Sequence, residues 1–551
     1  MTSDRVVQKS FFGFGLLVFL IGLIGAFFLW QQEQAVRFDE FYDDTAYGFF
    51  DVDLNKKSAQ RIRELFPEAD WRSFFPEYIS RGILESDVAA MSSWIGDRVS
   101  VAFFPKGEMI VGAKFRKASQ LEAFLERFTL DSESFEKEEY GPFKIWTPEY
   151  SSSLAIGFWR RRVFFASSKD ILLQNIQATA KLSHSDKYKA IYKDFQDSSV
   201  LFAFVDTQTW VEESFDEGKR LAEKPLWQAM ASLLSATGVS ATGDDEALSF
   251  RFKFLSHEGI FENRPVVKIP EQTLPELARL VPKDTLFFLN GSDLYAKYLH
   301  TKQFLTDLHP QFGLVFEGIL RAQSKEVFGD GFDFETDFLA SMHGQYAIVL
   351  DYQEAAFPFL NFTFLTEFGG ANKAQHLSQI HDAVQHAQAR FTTRVAEVML
   401  PDGTVREELV SEDLENVPLE KKMWEGHEYF TTLHEAAEKQ FSYGFVENYL
   451  IFSLREEGVR SVLGVKNGYQ PSLVENEDLR ESVLFRYSPS ESYGFVNMAK
   501  LSSAIDFVFG TEDEHPSWVV ATVLKNAFRN MTFARKVYKK EIFWDATLFA
   551  R

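Results

Sequence analysis

The residues most able to do chemistry are three histidines, a run of carboxylates and two charged turns. His376, His381 and His386 recur at intervals of five. On a helix each step turns about 500°, or about 140° beyond one revolution, so the three spiral around the axis. Two metal ligands on one helical face need a spacing of three or four, so these read as solvated surface histidines. The segment Gly329-Asp330-Gly331-Phe332-Asp333-Phe334-Glu335-Thr336-Asp337 spaces its acids like a calcium loop. It lacks the ladder of oxygen ligands that an EF-hand requires, and Asp330, Asp333 and Asp337 read instead as turn and helix N-cap residues. No G-x-S-x-G elbow, P-loop or H-E-x-x-H pair occurs. The chain has no cysteine, which removes thiolate catalysis, disulfides and thiolate zinc sites together. The expectation is therefore no catalytic residue, no metal, no cofactor and no enzyme.

Two turns offer contacts instead. Arg160, Arg161 and Arg162 occupy the polar turn of SLAIGFW-RRR-VFFAS, an exposed basic tip in an acidic chain. Such a tip blunts edge pairing and could meet a phosphate headgroup or an acidic partner. Pro401, Asp402 and Gly403 are strong turn formers between two β-prone runs, RFTTRVAEVML and TVREELV. They predict an inserted hairpin near 390–412, a candidate partner-binding arm.

The elements that must position these residues begin with an anchor. Phe11 to Trp30 is an uncharged run of 20 residues, long enough to cross a bilayer core of about 30 Å. It lacks the small-residue cleavage site of a signal peptide, so it reads as a transmembrane signal anchor behind a short cytoplasmic tail, residues 1–10. Arg5 and Lys9 precede it and acids follow, which puts the N-terminus inside and the body in the periplasm or outside the cell. The net charge of −22 repels phosphate backbones, so nucleic acid is not an expected partner. Phenylalanine, at 58 residues, implies either thick aromatic cores or a lipophilic cavity.

Beyond the anchor the chain reads as two similar halves, 31–262 and 263–551. DDTAYGFFDVDL is echoed by PKDTLFFLNGSDL, and the strand entered at Gly96 by the one at Gly344. EYGPFKIWT is echoed by WEGHEYFTT, and the hairpin at Arg160–Arg162 by FSYGFV-EN-YLIFSL. Between strands lie amphipathic stretches; Leu377, Ile380 and Val384 share one helical face. Short, alternating, hairpin-linked strands predict an α+β fold. It would be two tandem repeats of antiparallel sheet with helices packed on one face, preceded by one N-terminal transmembrane helix.

Gly82, Asp87, Trp94, Gly96 and Asp97, with a looser copy at Gly331, Asp337 and Gly344, resemble the motif of a bacterial domain-of-unknown-function family, number 3352. The resemblance runs from about Asp43 to the C-terminus. It implies a membrane-anchored extracytoplasmic protein with duplicated modules, and carries no reaction, ligand or active site. In this reading Gly96 supplies a positive φ and Trp94 covers the sheet. The functional expectation is a non-enzymatic envelope protein at the inner membrane, a scaffold, assembly factor or sensor that binds a protein partner. The alternative is a carrier of lipid or another apolar ligand.

Overall fold

Strand β1, Gly48–Asp53, carries the run GFFDVD and is buried at five of its six positions. Successive side chains on a strand point to opposite faces, so a strand buried throughout must be covered on both. Phe49 joins one apolar cluster with Tyr42, Phe164, Leu172, Tyr188 and Ile191. Its neighbour Phe50 joins a second, with Val99, Phe115, Val163 and Leu201. The structure is a computed structural model. It describes residues 37–53, 95–121, 135–149, 154–195, 199–215, 228, 231–243, 246–257, 276–308, 310–329, 332–342, 344–352, 360–368, 373–391, 393–399, 405–411, 417–432, 441–485, 492–509, 528–537 and 541–550.

The chain divides into two compact units, Met1–Glu262 with Tyr538–Asp545 and Ala550, and Asn263–Val537 with Ala546–Phe549 and Arg551. In the first, β1 is followed by β2 (Ile95–Phe103), β3 (Met109–Phe115), β4 (Phe135–Tyr140), β5 (Phe143–Pro148), β6 (Ala155–Trp159), β7 (Arg162–Ala166), helices α1 (Lys169–Gln177) and α2 (Asp186–Tyr192), β8 (Leu201–Asp206), α3 (Thr207–Phe215), β9 (Leu234–Gly243) and β10 (Ala247–Ser256). Strand β1 lies between β2 and β8; β3 joins β2 to β7, and all these pairs are antiparallel. Helices α1 and α2 contribute Leu172 and Ile191 to the Phe49 side.

The second unit runs β11 (Phe287–Ser292), α4 (Leu294–Leu308), α5 (Pro310–Phe328), β12 (Gln345–Tyr352), β13 (Leu360–Glu367), α6 (Lys373–Phe391), β14 (Thr393–Met399), β15 (Val405–Ser411), β16 (Leu419–Trp424), β17 (His427–Thr432), β18 (Ser442–Val446), β19 (Tyr449–Ser453), α7 (Glu456–Lys466), α8 (Glu477–Phe485), β20 (Ser492–Asn497), α9 (Met498–Phe509) and β21 (Phe528–Val537). Ile451 of β19 packs with Val459, Val462 and Leu463 of α7. The preceding residue, Leu450, packs with Ile380, Val384 and Ala387 of α6. Adjacent strand residues face opposite ways, so α6 and α7 cover opposite faces.

These observations correct the expected architecture. Within each unit the paired strands run antiparallel and, in the second, helices lie on both faces rather than one; β14 and β15 form a separate two-stranded sheet, and β22 (Glu541–Ala550) is the last strand of the chain's described residues. The chain is not two tandem repeats with helices on one face. The alternating pattern marks a buried face but does not say what covers the other, nor which strand edges pair. Among the described residues no helix is long and apolar enough to cross a membrane. The expected transmembrane helix, Phe11–Trp30, lies outside the described residues, as do Gly82, Asp87, Trp94, Gly331, Pro401, Asp402 and Gly403.

Candidate functional site

Gly96 and Asp97 lie inside β2, where the pairing with β3 shifts register between Ile95 and Val99. Gly96 does not have the positive φ expected of it. A Cβ there would stand 3.0 Å from the Lys114 carbonyl oxygen, so glycine serves close approach of β3. The ammonium of Lys114 donates to Asp97 Oδ2 at 3.2 Å, and both residues are buried. Burial pushes the Asp97 carboxyl up, and Lys114 offsets this only in part. One strand away, the Arg98 guanidinium donates through Nε to both oxygens of buried Asp51 at 2.9 Å. Burial again pushes the Asp51 carboxyl up against the pull of Arg98. Both are ion pairs within the sheet; Asp51 has both oxygens bonded, whereas Oδ1 of Asp97 is buried without a hydrogen-bond partner.

The three arginines of the β6–β7 turn do not act as one tip. Arg160 has a φ of 55°, and its guanidinium lies 5.2 Å from the Trp159 ring centroid. Arg162 lies 4.5 Å from the same centroid, while the Arg161 carbonyl accepts from the Phe115 amide at 3.0 Å. Burial, and then the neighbouring charge of Arg160, lower the proton affinity of Arg162. Two of the cations are thus engaged on one aromatic ring.

The looser motif copy is also local architecture. Asp337 accepts from the Asp333 amide at 2.8 Å and from Gln379 Nε2 at 3.0 Å. Asp333 caps the short helical turn Phe334–Phe338 by accepting from the Glu335 and Thr336 amides. Gly344 has no room for a side chain, because a Cβ would collide with Glu367. Of the histidines, His381 is not a solvated one: its Nδ1 lies 2.9 Å from the Tyr443 hydroxyl and its ring meets Phe430 edge-on. No group of three His, Asp or Glu able to hold a metal occurs among the described residues.

Among the described residues, two groups of exposed apolar side chains on the second unit stand out. The hairpin of β14 and β15 closes with Met399 opposite Val405; these residues are 73% and 55% exposed. Helix α5 exposes Phe312 (45%), Leu314 (71%), Val315 (56%) and Ile319 (57%). Its other side is seated by polar contacts: Lys302 of α4 lies 2.8 Å from Glu317, which also binds Arg321 at 3.0 Å. Lys302 holds the Glu317 carboxyl below the usual range.

Sequence reasoning missed the buried lysine of β10. Lys253 is fully buried, with its ammonium on the Ala190 carbonyl at 2.7 Å, on Asp194, and on Glu541 of β22 at 2.9 Å. Arg251, two residues away on the same strand face, binds Asp545 at 2.7 Å. Alternating basic residues in the otherwise apolar run ALSFRFKFLS are the signal that could have found it.

The sequence profile of the family described as "Protein of unknown function (DUF3352)" matches residues 88–540. No curated protein matches. Among solved structures, crystal form IV of TP0453 aligns with a TM-score of 0.25 at 8% identity, covering 40% of this chain and 81% of that one. Crystal form III aligns with a TM-score of 0.24 at 9% identity, covering 44% and 91%. Likeness at this level carries no argument about fold or function.

Proposed function

We propose, for a chain that belongs to the DUF3352 family of proteins of unknown function, that it is a non-enzymatic binding protein of the cell envelope, held at the membrane through Phe11–Trp30 and engaging a protein partner through the β14–β15 hairpin. The observation that supports this reading is the exposed Met399–Val405 pair at the end of a hairpin that stands outside the main sheet. A soluble surface rarely leaves long apolar side chains paired at a tip without a use for them.

The test is photo-crosslinking in cells from a photoreactive residue placed at Met399 or Val405. A discrete adduct with one other protein, lost in the Met399→Asp, Val405→Asp double variant, is expected. The same low background from the hairpin as from exposed Tyr140 would overturn the reading. Native mass spectrometry of the full chain addresses the carrier alternative: a retained lipid-sized mass, lost on denaturation, would put the apolar interior ahead of the hairpin.

A further inference from the structure

Helix α5 is turned the wrong way round for a surface helix. Its sequence is PQFGLVFEGILRAQSKEVF. Gly313 faces Thr306 of α4, where a Cβ would collide with the threonine side chain. Phe316 meets the Tyr298 ring at 5.9 Å, Glu317 binds Lys302, and Ser324 is buried. The solvent side instead carries Phe312, Leu314, Val315, Gly318, Ile319 and Ala322. At about 100° per residue these span an arc of about 160°, and no acid lies within it between Phe312 and Ala322; Glu317 falls outside it, on the side tied to Lys302.

We propose that this face is the contact by which the chain associates with a second copy of itself, two α5 helices packing antiparallel about a two-fold axis at the helix midpoint. Three observations choose this occupant. The first is the place of the small residues. Gly318 and Ile319 sit at the middle of the 19-residue helix, and a Cβ on Gly318 would meet nothing within 4 Å. A small residue at the centre of an apolar arc lets a second helix approach closely, whereas it offers a lipid phase no apolar area.

The second is self-complementarity. A two-fold contact sets one patch against itself. With the axis between Gly318 and Ile319, each of these lies beside the Gly318–Ile319 pair of the second copy, and Val315 packs on Ala322 at both ends. The third is charge. The chain carries −22, which opposes self-association and anionic lipid alike, yet α5 itself is balanced, with Glu317 and Glu326 against Arg321 and Lys325. It is a place where two acidic molecules can meet without added repulsion. One helix face is smaller than the roughly 800 Å² per partner of a stable dimer, so the association is weak and concentration-dependent. This contact is independent of the hairpin.

The cysteine-free sequence makes the test direct. Full-length chain carrying only Ile319→Cys is treated with a short bis-maleimide, beside a chain carrying only Tyr469→Cys, an exposed position on the same unit. A cross-linked dimer severalfold more abundant for Ile319→Cys is expected, because only a residue at the axis meets its own copy. Adding Val315→Asp should weaken it at least about tenfold, with the thermal melt of each variant confirming that it folds. Equal cross-linking at the two positions would overturn the proposal. So would loss of the Ile319→Cys adduct on adding zwitterionic lipid vesicles, which would make a bilayer the occupant, or an adduct of the mass of another protein.

Discussion

The ammonium of Lys253 lies 2.9 Å from the carboxylate of Glu541, joining positions 288 residues apart in the sequence inside the first unit. Lys253 is fully buried and is shared with Asp194. Removing one member of a buried pair leaves the other charges stranded. Lys253→Ala should therefore lower the unfolding free energy by about 3 kcal/mol, read by urea denaturation followed by tryptophan fluorescence. Lys253→Met, which keeps most of the volume, should cost less. A loss below about 0.5 kcal/mol for the alanine variant would show that the lysine carries no structural weight.

Glu456 gives a pH dependence with a definite sign. Burial pushes its carboxyl up, but the Tyr429 hydroxyl, Lys422 and Arg460 outweigh that and hold it below the ordinary glutamate value of 4.5. Tyr429 donates to it at 2.6 Å and Lys422 at 2.9 Å. A depressed folded value means stability that is present above pH 4.5 and lost as pH falls through the folded value. Glu456→Gln should be less stable than the parent at pH 7, by about 1–3 kcal/mol. The gap should close on acidification. A gap that stays constant from neutral to acid pH would count against the assignment.

Two glycines should separate packing from backbone conformation. At Gly238, in β9, a Cβ would collide with Ile191 of α2 and crowd Phe195; Gly238→Ala should cost about 1–3 kcal/mol by overpacking. Gly141, between β4 and β5, has a φ of +60° and open space around it. Gly141→Ala should cost about 1 kcal/mol through backbone strain alone. Equal melting temperatures for parent and Gly238→Ala would refute the close packing of α2 on the sheet.

The phenylalanine content has a structural use that can be weighed at Phe41. Its ring stacks on Phe164 with centroids 3.8 Å apart and touches Tyr42 at 5.5 Å and Phe143 at 5.9 Å. It is 3% exposed. Phe41→Ala should cost about 3–5 kcal/mol, with Phe41→Leu costing less. A near-neutral alanine variant would point to a loosely filled interior and favour an apolar ligand there.

Much of the local structure was legible in the sequence. The alternating runs on either side of Arg160–Arg162 and of Glu447–Asn448 announced the hairpins β6–β7 and β18–β19, with Arg162 itself the first residue of β7. The helical period of Leu377, Ile380 and Val384 announced the apolar face of α6, now packed against Leu450 and Tyr443. The site was less legible. Arg160, Arg161 and Arg162 read as one exposed basic tip because their charges are adjacent in sequence. Trp159 reorganises them: two guanidiniums lie against its ring, and the third residue is held by its backbone. Gly96 read as a positive-φ glycine because that is what the residue most often supplies at the entry to a strand, whereas the pressure on it comes from Lys114 of the next strand.

The sequence by itself determined the elements, their apolar faces and the absence of thiol chemistry, because periodicity and composition are local properties that the backbone obeys wherever a segment ends up. Only the tertiary structure decided that β1 is covered on both faces, that α6 and α7 take opposite faces, that Lys253 finds Glu541, and that α5 keeps Gly313 and Glu317 inward and Leu314 and Ile319 in solvent. Each of these depends on which distant segment meets which. That choice is made by the summed packing of many residues, which no short stretch of sequence carries.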